Sequence, residues 1–317
     1  METIGNPWLW SGFIAFVVAM LALDLGVFHR KAHAVSLKEA AIWSGVWVGF
    51  AVLFNVAIWH YFGAERGLEF ATGYVIEKAL SVDNLFVFVA IFSAFAVPAA
   101  FQHRVLFWGI LGALVLRAIF ILVGGALLAR FHWVMYLFGA ILLFTAVKLF
   151  VSRDEKPEPE KSPVTRLFRR FVPTTEGFRG TSFLVKENGR RLATPLLLVL
   201  VLVEATDLVF AVDSIPAIFA VTRDPFLVFT SNIFAILGLR SLYFLLAGIV
   251  DRFHYLKPAL ALVLAFVGTK MVIVDLYKVP VGVSLAVIAT LIGGAVLLSF
   301  LRPPKAAGAA ALRVEAE

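Results

Sequence analysis

Six acidic residues stand in stretches of this chain that are otherwise strongly apolar: Asp24, Glu77, Asp83, Glu204, Asp207 and Asp213. A charged group at the centre of an isolated membrane helix costs about 2.5–3.5 kcal/mol, so so many acids cannot face lipid; they face a bundle interior or wet cavity, are paired, or are protonated. Residues so placed mark ion or proton pathways by default. Two of the stretches repeat one pattern, EKALSVDNL at 77–85 and DLVFAVDSI at 207–215, with an acid six residues before an aspartate and Asn84 or Ser214 after it. Six residues of helix separate the two acids by about 120° and roughly 9 Å along the axis, so neither pair can chelate one ion alone. Two helices crossing near Asp83 and Asp213 can, with Asn84 and Ser214 as neutral oxygen donors. Pro216 has no N–H to give the carbonyl of Val212, which adds another oxygen beside Asp213.

Carboxylate, amide, hydroxyl and carbonyl oxygens are hard ligands, suited to Mn²⁺, Ca²⁺ or Mg²⁺. The expected metal site is therefore Asp83, Asn84 and Asp213, completed or gated by Glu77, Asp207 and Glu204. The chain has no cysteine, which excludes thiolate ligands and disulfides, and its six histidines fall in loops or at span ends. Lys78, Arg117 and Arg240 also stand centrally, so the competing reading is a set of structural ion pairs. Six acids against three such cations leave a surplus of negative charge, which favours a cation site. The two arginines either hold the carboxylates while the site is empty or cross-link helices.

The elements that must position these residues follow from composition. Of 317 residues 61% are hydrophobic and only 15% charged, with a mean hydropathy of +0.94. That excess of apolar surface excludes a soluble domain built on one core. Apolar runs of the length that crosses a bilayer recur along the chain, and we read nine spans, near 8–28, 40–62, 69–96, 105–128, 131–151, 193–221, 226–250, 255–276 and 280–301. The first follows METIGNP, which lacks a basic n-region, and is read as a retained span. The expected fold is an all-α polytopic membrane helix bundle.

Charge distribution sets the orientation. The formal charge is +7, and 10 of the 28 Lys and Arg lie in the single connection 152–192. Basic residues concentrate in the connections on that side, which places the N-terminus outside and the C-terminus in the cytoplasm and argues against a nucleic-acid partner. The repeat extends downstream: Arg117, RFH at 130–132 and Lys148 match Arg240, RFH at 252–254 and Lys270. Three spans separate the starts of the two units, so they insert in opposite directions, the architecture of transporters whose site lies where two inverted halves meet. The expected organisation is two N-terminal transmembrane helices (1–62), a first three-helix repeat (63–151), a cytoplasmic basic loop (152–192), a second, inverted repeat (193–278), a last transmembrane helix (279–301) and a cytoplasmic tail (302–317).

Within the loop, RLFRRF at 166–171 is a candidate amphipathic helix at the anionic inner surface. Thr194 and Pro195 read as the cap and first turn of the sixth span. Lys148 and Lys270 are expected to snorkel, and Trp8, Trp10, Trp59 and Trp133 to anchor at interfaces. No enzyme motif of the HExxH or GxSxG kind occurs, no tightly bound cofactor is indicated, and the expected partners are the lipid bilayer and a divalent ion.

EKALSVDNLFVF, KENGRRLATPL, VEATDLVFAVDSIPAIFA and TSNIFAILGLRSLYF resemble the signature stretches of the TerC/Alx family of integral membrane proteins, over nearly the whole chain apart from its tails. The resemblance implies a multi-pass membrane protein of manganese export or metal homeostasis, linked to tellurium resistance, with a fold related to the LysE-like exporters. It implies that Glu77, Asp83, Asn84, Glu204, Asp207 and Asp213 take the family's acidic-site positions; Asp24 lies outside its most distinctive motifs. The ranking of Mn²⁺ over Ca²⁺ rests on that resemblance. The expected function is export of a divalent cation, most readily Mn²⁺. The alternative is a non-transporting membrane component of a metal or tellurite stress complex, self-associated or with partners recruited through 152–192.

Overall fold

Several helix starts follow from local chemistry. Ser36 accepts from the Glu39 N–H at 3.2 Å to begin α2 (Leu37–Phe62), and Ser162, followed by Pro163, accepts from the Thr165 N–H at 3.1 Å to begin α6 (Pro163–Phe171). Asp224, followed by Pro225, accepts from the Phe226 N–H at 2.9 Å to begin α8 (Pro225–Leu237). Each is a side-chain oxygen meeting an N–H that the helix leaves unsatisfied. The computed structural model describes residues 3–28, 36–131, 133–151, 160, 162–187, 189–247 and 255–301, with backbone only at 23–28, Asp83 and Phe86. His29, His33, His132, His254, the RFH segments in part and the tail 302–317 lie outside the described residues, as do the side chains of Asp24 and Asp83.

The remaining elements are α1 (Pro7–Phe28), α3 (Ala64–Ala94), α4 (Ala99–Arg130), α5 (Val134–Val151), β1 (Leu184–Glu187), β2 (Arg190–Ala193), α7 (Pro195–Phe219), α9 (Leu239–Leu246), α10 (Leu256–Val272) and α11 (Val281–Leu301). Six stretches among the described residues are long and apolar enough to cross a bilayer: α2, α4, α5, α7, α8 with α9, and α11. α1 adds a shorter apolar stretch, α10 has 17 residues, and α3 is a long helix diluted by its own charged residues.

Three local departures from the sequence reading have physical causes. The connection 152–192 is not wholly irregular: β1 and β2 pair antiparallel, Leu184 opposite Ala193 and Glu187 opposite Arg190, with Gly189 between them at φ +76°. Thr194 does occupy the cap position of α7, but its hydroxyl donates to the Ser182 carbonyl at 2.7 Å instead of capping the helix. The span at 226–250 is divided at Gly238 into α8 and α9, whereas α7 continues as helix through Pro216.

α8 is enveloped, every residue but Pro225 and Phe229 being buried. It packs on α3 as α4 packs on α7, while α3 meets α7, α4 meets α8, and α5 meets α10. α5 and α10 approach most closely at two glycines: a Cβ on either Gly139 or Gly268 would lie 3.0 Å from the other's carbonyl oxygen. Gly139 also faces Met271 and Val272 while Gly268 faces Leu142 and Leu143, so the two helices run antiparallel. Outward faces are apolar, as at Ile119, Leu122 and Val123 on α4 and Val209 on α7. Trp8, Trp59 and Trp133 are exposed as expected of interfacial anchors; Trp10 instead packs edge-on against Phe226 at 5.1 Å. Lys148 is exposed, but Lys270 is held by the Ser284 hydroxyl at 3.0 Å and does not simply reach for the interface.

Candidate functional site

α3, α4, α7 and α8 converge on one side chain, that of Arg117, which leaves the middle of α4 and is 1% exposed. Its Nε and Nη2 grip Asp207 of α7 at 3.4 and 3.0 Å, the forked geometry a guanidinium offers a carboxylate. Its Nη1 donates to Glu77 of α3, and to the Ser214 hydroxyl and the Asn232 amide oxygen, each at 3.3 Å. Asn232, from α8, closes the ring by donating to the second Glu77 oxygen at 3.0 Å. Ser81, one turn along α3, donates to Glu77 at 3.3 Å. Glu77 and Asp207 are themselves buried. Ions in such a place are tolerable only when paired and hydrogen-bonded, and the pairing here leaves two carboxylates for one guanidinium.

Helix geometry explains which acids join. Ser214 follows Asp207 by seven residues, about two turns, and so returns to the same face; Asp213 follows by six and turns away. Its carboxylate accepts from Thr145 of α5 at 2.8 Å. The structure therefore joins Glu77 with Asp207 through Arg117 and sets Asp213 on another face of α7. Asn84, two turns beyond Glu77, is buried, and its amide oxygen has no hydrogen-bond partner among the described residues.

Glu204 lies one turn before Asp207, and its carboxylate rests on the backbone of α4 at Gly112, where a Cβ would fall 2.1 Å from Oε1. Its Oε2 is buried without a hydrogen-bond partner among the described residues. Beside Asp207 a cavity of about 10 Å³ is lined by Arg240, Phe88, Leu106, Val203 and Leu239, room for about one water molecule. Among the described residues no three histidine or carboxylate side chains form a ready metal shell; the oxygens that converge do so around a guanidinium. Sequence reasoning missed Asn232, Ser81 and Thr145. Ser81 had a signal, being one turn from Glu77, and so had Asn232, an amide inside an apolar run.

Long apolar helices with lipid-facing hydrocarbon and inward-facing ions and amides define a polytopic helical membrane protein. The chain belongs to the family described as "Integral membrane protein TerC family", whose profile it matches over residues 62–306. It is 62% identical over 305 residues to "Uncharacterized membrane protein STKORF319" of Myxococcus xanthus, covering 95% of this chain and 96% of that one. It is 52% identical over 297 residues to "Putative membrane-bound redox modulator Alx" of Escherichia coli (strain K12), covering 91% and 92%. A Rickettsia felis membrane protein is 43% identical over 293 residues, covering 92% and 97%. No solved structure matches.

Proposed function

We propose that this chain is a transporter that carries a divalent metal cation, with Mn²⁺ the first ion to test, through the bundle at the place Arg117 now fills. One observation carries the reading: a cation already sits between Glu77 and Asp207, supplied by the protein itself. The guanidinium and a divalent metal ion are alternatives for the same carboxylates. When Arg117 withdraws, Glu77, Asp207, Ser81, Ser214 and Asn232 remain as an oxygen cage of the hard kind that Mn²⁺ and Ca²⁺ accept. Asp83, Asn84, Glu204 and Asp213 lie along the same two helices and serve as the steps by which the ion reaches and leaves it.

Inverted halves supply the two faces of such a cycle, and the packing supports them. If α3, α4 and α5 correspond to α7, α8 with α9, and α10, the contacts of α3 with α7, α4 with α8 and α5 with α10 each map onto themselves. The α3 and α8 contact maps onto that of α7 and α4. By the RFH register Gly139 corresponds to Ala261 and Gly268 to Ala146, four small residues of which both alanines are buried. On this reading nine spans cross the cell membrane with the N-terminus outside, and the chain is not an enzyme.

The test is Mn²⁺ flux into proteoliposomes containing the purified chain, alongside Mn²⁺ content of cells expressing it. Glu77→Gln and Asp207→Asn are expected to abolish flux, and Asp83→Asn and Asp213→Asn to reduce it. Parental flux in all four variants would refute the site. A parent that moves no divalent ion would instead favour the second reading, a non-transporting component. The name of the Escherichia coli relative speaks for that reading, but a chain without cysteine cannot act by thiol–disulfide exchange.

A further inference from the structure

α6 leaves an unusual surface uncovered. Val164 and Phe168 face inward and pack against the apolar cluster that contains Leu196, Leu198 and Val199 at the start of α7 and Val105 near the start of α4. Thr165 is buried beside them. The helix thus lies against the start of α7, the end of a helix long and apolar enough to cross a bilayer. Leu167 is 60% and Phe171 71% exposed, and at 100° per residue these two share one edge of the helix. Arg166, Arg169 and Arg170 are exposed on the next sector, and α6 contains no acidic residue. A water-facing helix gains nothing from two large exposed apolar side chains; a helix at a membrane surface buries them among lipid tails and lays its arginines on phosphates.

We propose that α6 binds the surface of an anionic bilayer, with Leu167 and Phe171 inserted below the headgroups and Arg166, Arg169 and Arg170 paired with lipid phosphate. The occupant of this face is the protein's own surrounding membrane. The charge of the helix and its seat against the start of α7 specify that occupant, where a soluble acidic protein would leave Leu167 and Phe171 in water. By this contact the connection between α5 and α7 is pinned to one leaflet, so the start of α7 is held while the rest of the bundle moves. The inference is independent of what the bundle transports.

Because the native chain has no cysteine, a single Leu167→Cys carries a spin label with no background. The full-length labelled protein is placed in nanodiscs of phosphatidylcholine alone, and of phosphatidylcholine with phosphatidylglycerol. Collision of the label with lipid-soluble oxygen and with a water-soluble nickel chelate is then measured. In the anionic discs the oxygen-to-nickel accessibility ratio should rise by at least about tenfold, since each arginine near an anionic surface favours the bound state by about a factor of five and the three together by about a hundredfold. Raising the salt, which shortens the screening length from about 10 Å at 0.1 M to about 3 Å at 1 M, should reverse much of the gain. Adding R166Q, R169Q and R170Q should abolish it, and a label at the exposed Glu176 should stay in water throughout. Equal nickel accessibility of the Leu167 label in both lipids overturns the proposal. So does equal protection in both lipids, which would mean burial without lipid charge. The two-lipid comparison decides the matter even if the triple variant fails to fold.

Discussion

Among the described residues of the bundle, two arginine–carboxylate clusters differ in almost everything except their chemistry. At the rim, Arg66 meets Glu69 three residues on at 2.9 Å, with side chains 27% and 10% exposed. Glu69 also accepts from Thr222 at 2.9 Å. Nearby, Asp224 caps α8 and holds the N-terminal segment through the Thr3 hydroxyl at 2.7 Å and the Ile4 N–H at 2.8 Å. In the interior, Arg117 joins four helices and is 1% exposed. The rim groups keep part of their hydration, and most of their bonds are to backbone or to near neighbours. They are staples. The interior group surrenders hydration that ion pairing only partly returns, and apolar side chains would fill the space at less cost. On the proposed function, that cost is the condition for holding two carboxylates ready for an incoming cation.

The largest expected effect sharpens this contrast. Arg117→Met removes the guanidinium that bridges Glu77 and Asp207, and should lower stability by about 3–5 kcal/mol. It would be read as a large drop in the thermal midpoint of the detergent-solubilised protein. Combining it with E77Q and D207N removes the stranded charges and should recover most of that midpoint while leaving flux absent. If the triple variant is as unstable as the single one, the cost lies in packing and the electrostatic account is wrong. Next in size is Asp224→Ala, which removes a helix cap and the anchor of the N-terminal segment, for about 0.5–2 kcal/mol. Proteolysis near the N-terminus should accelerate with it, and flux should survive. Smaller still is Arg66→Gln, worth about 0.2–1 kcal/mol as a partly solvated pair and expected to weaken further in high salt. A loss at Arg66 equal to that at Arg117 would erase the distinction between the two clusters.

What could be read in advance follows the same division. Apolar runs and their punctuation exposed the helices, because length and hydropathy are local properties. The spacing of Asp207 and Asp213 also showed that the two acids point apart. Spacing does not say which neighbour lies on which side, and so Asp213, expected at the shared site, faces Thr145, while Arg117 chose Asp207. The repeat helped with Glu77 and Asp207 and hid Asn232, because the residue eight before Arg240 is an asparagine and the one eight before Arg117 is Gly109. A search for matching positions cannot find an asymmetric one. The division at Gly238 escaped notice for another reason: a single glycine in a long span is no sure stop signal, and beside this one the Lys78 ammonium donates to the Ala235 carbonyl at 3.2 Å.

The smallest effect on stability belongs to Gly112→Ala, and it separates position from presence. The added methyl would meet the Glu204 carboxylate, the far end of a flexible side chain, so the carboxylate can swing aside and the fold should lose less than about 0.5 kcal/mol, with the Ala gain in helix propensity offsetting the shift. Glu204 itself remains, ionisable and on the same helix, but no longer seated against α4 one turn from Asp207. If that seat is a step on the ion's route, Mn²⁺ flux of Gly112→Ala should fall as far as that of Glu204→Gln, with an unchanged thermal midpoint. If Glu204 serves only as diffuse negative charge, Gly112→Ala should transport like the parent while Glu204→Gln does not.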